Sequence, residues 1–186
     1  MAYLVSPRQT FKAAVQGGCD HKQLQLSGVA VLTFSKAVMQ RLEELCLLQE
    51  ITWLSPSLHL YTGAQFVKRG DARRHAGYLP PMGASPLACI IEDLATGGVQ
   101  AVFLVCAAGS PGPPVRFGDL MMPANPKGPD GTSTHYGNRT QQVHAEPEVV
   151  EALAQAAQAV GARVHVGGNA TCEALYRITP EMVQDY

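Results

Sequence analysis

The stretch VQAVFLVCAAGS, Val99–Ser110, decides how this chain is read. Val99 to Cys106 is almost all apolar and rich in valine, the pattern of a strand covered on both faces. It then runs straight into Ala107-Ala108-Gly109-Ser110. Small residues directly after a strand let backbone N–H groups approach a ligand closely. Close packing is the plainer use of such residues, so the stretch does not choose between the two on its own.

Upstream, Ser85-Pro86 starts a helix that runs to about Thr96 and ends at Gly97-Gly98. Gly77–Gly83 (GYLPPMG) is too rich in proline and glycine for a central strand. Arg69–Arg74 (RGDARR) reads as a solvated turn. Glu50–Leu54 and Leu58–Tyr61 read as short strands separated by Ser55-Pro56-Ser57. Ser35 caps a helix over Lys36–Gln49, with Val38, Leu42, Leu45 and Cys46 at helical spacing. Gly28–Phe34 (GVAVLTF) is a buried strand, and Ser6 caps a helix from Pro7 to about Gln16. Downstream, a short strand near Asp119–Met122 leads into a polar loop, Pro123–Arg139. An alanine-rich helix, Pro147–Val160, and a strand, Ala162–Val166, follow, and Asn169–Tyr186 mixes loop and short-helix signals. Strands alternating with helices predict an α/β fold with a largely parallel or mixed sheet. Ligands collect at the carboxyl ends of such strands, so the loops after Phe34, Cys106 and Gly167 matter most.

The 186 residues have one composition throughout and suit a single domain, 1–186. Hydrophobic residues make up 46% and charged residues 16%, enough for a core. A formal net charge of -1 gives no electrostatic case for nucleic acid or for an anionic membrane surface. No apolar run approaches bilayer length, and Met1–Pro7 lacks a leader pattern. The five cysteines (Cys19, Cys46, Cys89, Cys106, Cys172) are scattered and without CxxC spacing, which fits reduced thiols in the cytoplasm and argues against zinc. No flavin, nicotinamide or metal motif is present, so no tightly bound cofactor is expected.

Five stretches, in order, resemble one known family. MGASPLACIIEDL (Met82–Leu94) is similar to a GxGxxS-type turn and helix, and Val99–Ser110 to a strand ending in GTAGS. FGDLMMP (Phe117–Pro123) resembles a GDLV strand, and DGTSTHYG (Asp130–Gly137) a DGTSRHY signature. VHVGGNATCEALYR (Val164–Arg177) is similar to xHVGxxASxDAFYR. Together they resemble the nucleoside phosphorylases of the uridine-phosphorylase-like branch. That resemblance implies a three-layer α/β fold with a central mixed sheet, and cleavage of a nucleoside N-glycosidic bond with phosphate, or water, attacking the anomeric carbon. It implies substrate contacts from Met82, Gly83, Ala107, Ala108, Gly109, Ser110, Leu175, Tyr176 and Arg177, with the Tyr176 loop on the base side. It also implies a homo-oligomer in which a neighbour donates a histidine, for which His21 is the loose positional match.

Departures from the family pattern narrow the expectation. Where the family reads LPGDPxR, this chain reads LTFSKAVMQR (Leu32–Arg41), leaving Lys36 or Arg41 as substitute phosphate contacts. Leu104 stands where the resemblance implies a phosphate-binding arginine, Ala107 where it implies a threonine, and Leu175 replaces an aromatic. An oxyanion without a cationic partner loses its strongest hydrogen bonds, which argues against efficient phosphorolysis. The EMES- or EMET-like motif whose glutamate holds the ribose hydroxyls does not occur, so the resemblance implies a fold lacking the family's last strands and helix. The alternatives are a nucleosidase using water and an inactive nucleoside-binding or assembly module. Base specificity is not readable. His135 and Tyr136 are as consistent with surface hydrogen bonding as with catalysis. His59, His75 and His144 read as surface or half-buried histidines, and Arg177 as either a ligand contact or a surface ion pair.

Overall fold

The computed structural model describes residues 4–20, 25–26, 28–50, 62–68, 74–110, 112–128, 130–140 and 143–185. It divides into two compact units, 1–107 and 108–186.

In the first unit, helix α1 (Pro7–Gln16) starts where its local signals place it, and Gln9 Oε1 accepts the Ser6 N–H at 2.7 Å. There follow β1 (Val29–Thr33), α2 (Lys36–Leu45), β2 (Cys46–Glu50), β3 (Thr62–Lys68), β4 (Arg74–Leu79), α3 (Ala84–Thr96) and β5 (Ala101–Val105). The strands form one mixed sheet in the order β2-β3-β4-β1-β5. β1 runs parallel to β4 on one side and to β5 on the other, while β3 is antiparallel to both its neighbours. Residues two apart on a strand share a face. Ala30 and Leu32 of β1 and Ala76 and Tyr78 of β4 therefore meet Ile90 and Leu94 of α3 and Ala14 of α1 in one buried cluster. Phe11, Leu87 and Val102 pack around it.

Four readings of the sequence are corrected in this unit. The second helix stops at Leu45 instead of Gln49, because Cys46–Glu50 pairs with Ala64–Lys68 of β3. A short apolar run such as Leu45–Leu48 has no periodicity to separate helix from strand, and the available partner edge decides. The stretch RHAGYL is a strand between β3 and β1, although its glycine and the prolines after it argued otherwise. Pro80 and Pro81 fall just past Leu79, so neither removes a ladder donor. Helix α3 begins two residues earlier than expected, at Ala84, and its cap is Gly83, not Ser85. β5 is not covered along its whole length: Leu104 and Val105 at its end remain 46% and 44% exposed. The Ile51–Leu54 part of one expected strand, the strand, turn and histidine expected at Leu58–Tyr61, Ser55–Ser57 and His59, the Arg69–Arg73 part of the charged turn, and His21 lie outside the described residues.

The second unit contains β6 (Leu120–Lys127), α4 (Gly131–His135), α5 (Pro147–Ala159), β7 (Val164–Ala170), a 3-10 turn (Leu175–Arg177) and α6 (Pro180–Asp185). β6 and β7 pair in parallel, Leu120 opposite Val164 and Lys127 opposite Ala170, and α5 packs against both strands. Both strands run further than the sequence suggested, and Pro123–Arg139 is not one loop but the end of β6 followed by α4. Pro123 is tolerated because the register shifts between Pro123 and Asn125, where the ladder is already irregular.

Leu94 and Ile91 give a stability test of the first unit's core. Leu94 is fully buried whereas Ile91 is 41% exposed. Leu94→Ala is expected to lower the denaturation free energy by about 2–5 kcal/mol, and Ile91→Ala by at most about 1 kcal/mol, both read from urea unfolding.

Candidate functional site

In the first unit, pairing register brings three loops to one end of the sheet. Leu32 lies opposite both Tyr78 and Leu104, and Thr33 opposite Val105, so β1, β4 and β5 finish level. Ser35–Lys36, Pro80–Gly83 and Cys106–Ala107 leave from that end. Buried Thr33 turns the chain there: its Oγ1 accepts the Ser35 N–H at 3.1 Å, and Ser35 Oγ accepts from Val38 N–H at 3.4 Å at the start of α2. Gly83 has φ 136, a backbone position that side chains rarely adopt. It opens α3 without a side-chain cap, so the first-turn amides and the positive end of the helix dipole face outward. Met82 beside it is 81% exposed.

The two substitute cations differ in use. Lys36 is exposed at the first position of α2. Arg41 instead places Nη1 2.5 Å from Glu44 Oε2, with both side chains about two-thirds exposed (66% and 62%). This is an i,i+3 surface pair, worth little energetically, that neutralises the guanidinium locally. Leu104, where the resemblance implied an arginine, presents 46% of its surface.

In the second unit, Ala108, Gly109 and Ser110 are all exposed. A Cβ built on Gly109 meets nothing within 4 Å, so no packing in the chain requires a glycine there. Ser110 Oγ donates to the Gly112 carbonyl at 2.8 Å and accepts the Gly112 N–H at 3.4 Å, which commits the hydroxyl to its own turn. At the carboxyl ends of β6 and β7, the DGTSTHYG and NATCEALYR segments are joined. Thr171 N–H donates to the Lys127 carbonyl at 2.9 Å. Gly128, at φ 144, passes so close to Thr171 that a Cβ would lie 2.2 Å from its carbonyl oxygen. Gly131 N–H donates to Glu173 Oε1 at 3.1 Å. Asp130 caps α4 through the Ser133 N–H at 2.7 Å and also takes the Ser133 hydroxyl. The Ser133 hydroxyl, more than the amide bonds, holds the Asp130 carboxyl below its ordinary range. Two residues beyond Glu173, Leu175 and Tyr176 are 68% and 94% exposed, and Arg177 is exposed beside them. Residues 173–177 line one shallow surface depression, formed by that single stretch.

One cluster escaped the sequence reading. Asp119, its side chain only 2% exposed, accepts Arg116 N–H at 2.9 Å and Arg163 Nε at 2.7 Å, and lies 2.8 Å from His165 Nε2. A carboxylate can only accept, so that contact places a proton on Nε2 of His165. The Arg116 N–H does most to lower the Asp119 pKa, to about 2; burial opposes it, and His165 and Arg163 add to the lowering. Arg163 and His165 lie more than forty residues from Asp119, so no local pattern announces those two contacts. Their position at the amino ends of β6 and β7, opposite the motif loops, marks them as a clamp on strand pairing.

Among the described residues, the remaining histidines are His75, His135 and His144, and one of them is a correction. His75 is buried (6% exposed) instead of half-buried, and its Nδ1 accepts the Val29 N–H at 3.2 Å, tying β4 to β1. His144 Nδ1 lies 2.8 Å from Asn125 Oδ1, and His135 is exposed on α4. Among the described residues, no group of three or more His, Cys, Asp or Glu is placed to hold a metal, and no helix is long and apolar enough to cross a membrane.

Comparison with known proteins bears on these loops. The family model described as the phosphorylase superfamily matches residues 29–186. A uridine phosphorylase of Thermococcus kodakarensis is 32% identical over 95 residues, covering 51% of this chain and 34% of that protein. The uridine phosphorylases of Escherichia coli and Klebsiella aerogenes are 27% and 26% identical over the same length, each covered over 38%. The chain thus matches little more than a third of the length of these relatives.

The Asp119 clamp makes a pH prediction. Its folded pKa lies below its ordinary value, so its contribution is present above about 3.8 and is lost as pH falls through about 2. Asp119→Asn is expected to lower the thermal midpoint at neutral pH and to flatten its fall across that acid window, as followed by circular dichroism. Parallel midpoint curves for the two proteins would contradict the assignment.

Proposed function

Since this chain belongs to the phosphorylase superfamily, we propose that it is a nucleoside phosphorylase-like protein that cleaves the N-glycosidic bond of a nucleoside. The family match across residues 29–186 carries this reading, and the five ordered motifs within it agree. In this reading residues 1–186 make up one such domain, and the ligand is a nucleoside or nucleobase. The bond from the base nitrogen to the anomeric carbon breaks, the base leaves with the electron pair and takes up a proton, and an oxygen nucleophile bonds to the sugar carbon.

The proposed contacts follow from what each residue has free. Gly109 and Ser110 would offer backbone amides, since the Ser110 hydroxyl is already engaged by Gly112. Met82 and Gly83 stand at the uncapped start of α3, with Ala107 and Ala108 as small neighbours of the Gly109 turn. Tyr176 has a ring exposed enough to stack on a base, flanked by Leu175 and Arg177. A homo-oligomeric cytoplasmic protein belongs to the same proposal.

A specific observation favours a second nucleophile. Leu104 is apolar at the strand end, Arg41 stands in a solvent-exposed pair with Glu44, and Lys36 is exposed at the start of α2. Water in place of phosphate fits that arrangement, as does nucleoside binding without turnover.

Two experiments separate these outcomes. In the first, a panel of purine and pyrimidine nucleosides is incubated with the protein, with and without phosphate, and free base is measured by chromatography. Base release that does not depend on phosphate is the expected result. Release only with phosphate would restore phosphorolysis, and no release would leave a binding module. In the second, Gly109→Ala is expected to change stability by no more than about 0.5 kcal/mol. Calorimetry should show nucleoside binding weakened by roughly tenfold, the effect of blocking one backbone hydrogen bond.

A further inference from the structure

We propose that Glu173 is a positioning residue: by accepting the Gly131 N–H it ties the loop that carries Tyr176 to the loop that follows β6. The proposal rests on the nucleoside-binding role given above to Leu175, Tyr176 and Arg177.

The observations converge on one end of the β6–β7 pair. Strand pairing ends at Lys127 opposite Ala170, and the Thr171 N–H bond to the Lys127 carbonyl extends it by one step. Gly128 then passes against Thr171 at a distance that admits no side chain. Beyond this point the β7 side gives Leu175 and Tyr176 almost wholly to solvent, 68% and 94% exposed. Apolar and aromatic side chains left in water gain nothing that would hold their backbone in one place. The 3-10 turn they sit on is three residues long and is closed by a single Arg177 N–H bond to Ala174. Among the described residues, a link from that turn to the β6 side is made by Glu173, one residue before Ala174, with its Oε1 3.1 Å from Gly131 N.

The chemistry suits the task. The Gly131 amide is the first of α4, one of the donors that a helix leaves unsatisfied and where negative charge is favoured. Asp130 fills the cap by bonding Ser133, which leaves the Gly131 amide to Glu173. Two carboxylates from loops more than forty residues apart thus divide the donors of one short helix. A Cβ at Gly131 would lie 3.8 Å from Glu173 Oε2, so the approach is close but unstrained. A base stacking on Tyr176 then meets a ring whose backbone is already fixed, and fixing it beforehand removes part of the ordering cost of binding.

The test uses the whole chain with Glu173→Ala and Glu173→Gln. Glutamine keeps an acceptor oxygen at the same reach, so it should restore what alanine loses. Amide hydrogen exchange is read at Gly131, with the β6 and β7 amides as the control for folding. Glu173→Ala is expected to speed exchange at Gly131 about tenfold and to leave the strand amides unchanged. Glu173→Gln is expected to sit close to the parent. Uridine and adenosine binding by calorimetry should weaken in Glu173→Ala and recover in Glu173→Gln. Unchanged exchange at Gly131 in Glu173→Ala, or equal loss in both variants, overturns the tether. Altered exchange with unchanged nucleoside affinity overturns its positioning role. A parent protein that binds no nucleoside overturns the functional reading and, with it, the positioning role, while the exchange arm still decides whether the contact exists.

Discussion

Parallel pairing of β1 with two neighbours is the constraint on which the first unit depends. A buried strand must satisfy its backbone donors and acceptors on both edges, and β1 does so with β4 and β5, each running in its own direction. Parallel neighbours cannot be joined by tight turns, so the chain must travel away and return between them. Those two returns leave from one end of the sheet, at Ser35 and at Met82, and the chain leaves β5 from the same end at Cys106. The β6–β7 pair repeats the rule: its amino ends are clamped by Asp119, and its carboxyl ends carry DGTSTHYG and NATCEALYR.

Elements whose signals are local were legible in the sequence. Ser6 announced α1, and Gly97-Gly98 and Gly161 the ends of α3 and α5. Elements defined by a partner were not. RHAGYL contains a glycine and abuts two prolines, yet β3 and β1 on either side make it a strand. Leu45–Leu48 switches from helix to strand where β3 offers an edge. Pro123 and Pro126 hid the length of β6, because only the pairing shows that the ladder shifts beside Pro123.

The candidate site was legible as motifs and illegible as contacts. The small residues at 107–110 and the LYR stretch were found by order along the chain, since their meaning lies in sequence. Asp119, Arg163 and His165 form one network across separations of 44 and 46 residues, and Glu173 reaches Gly131 across 42. None of these pairs has a spacing that a helix or strand period would reveal. The departures also acquire physical content: Arg41 pairs with Glu44 on the surface of α2, and Leu104 leaves an apolar surface at the end of β5.

The proposal at the centre of this account is that the chain holds a nucleoside. Backbone chemical-shift mapping of the isotopically labelled protein during titration with uridine and adenosine tests it directly. The account predicts saturable shifts at Ala108–Ser110 and Ala174–Arg177, with Asp119 and Arg163 in the same unit unmoved. Shifts confined to Asp119 and Arg163, or none at millimolar nucleoside, would contradict it.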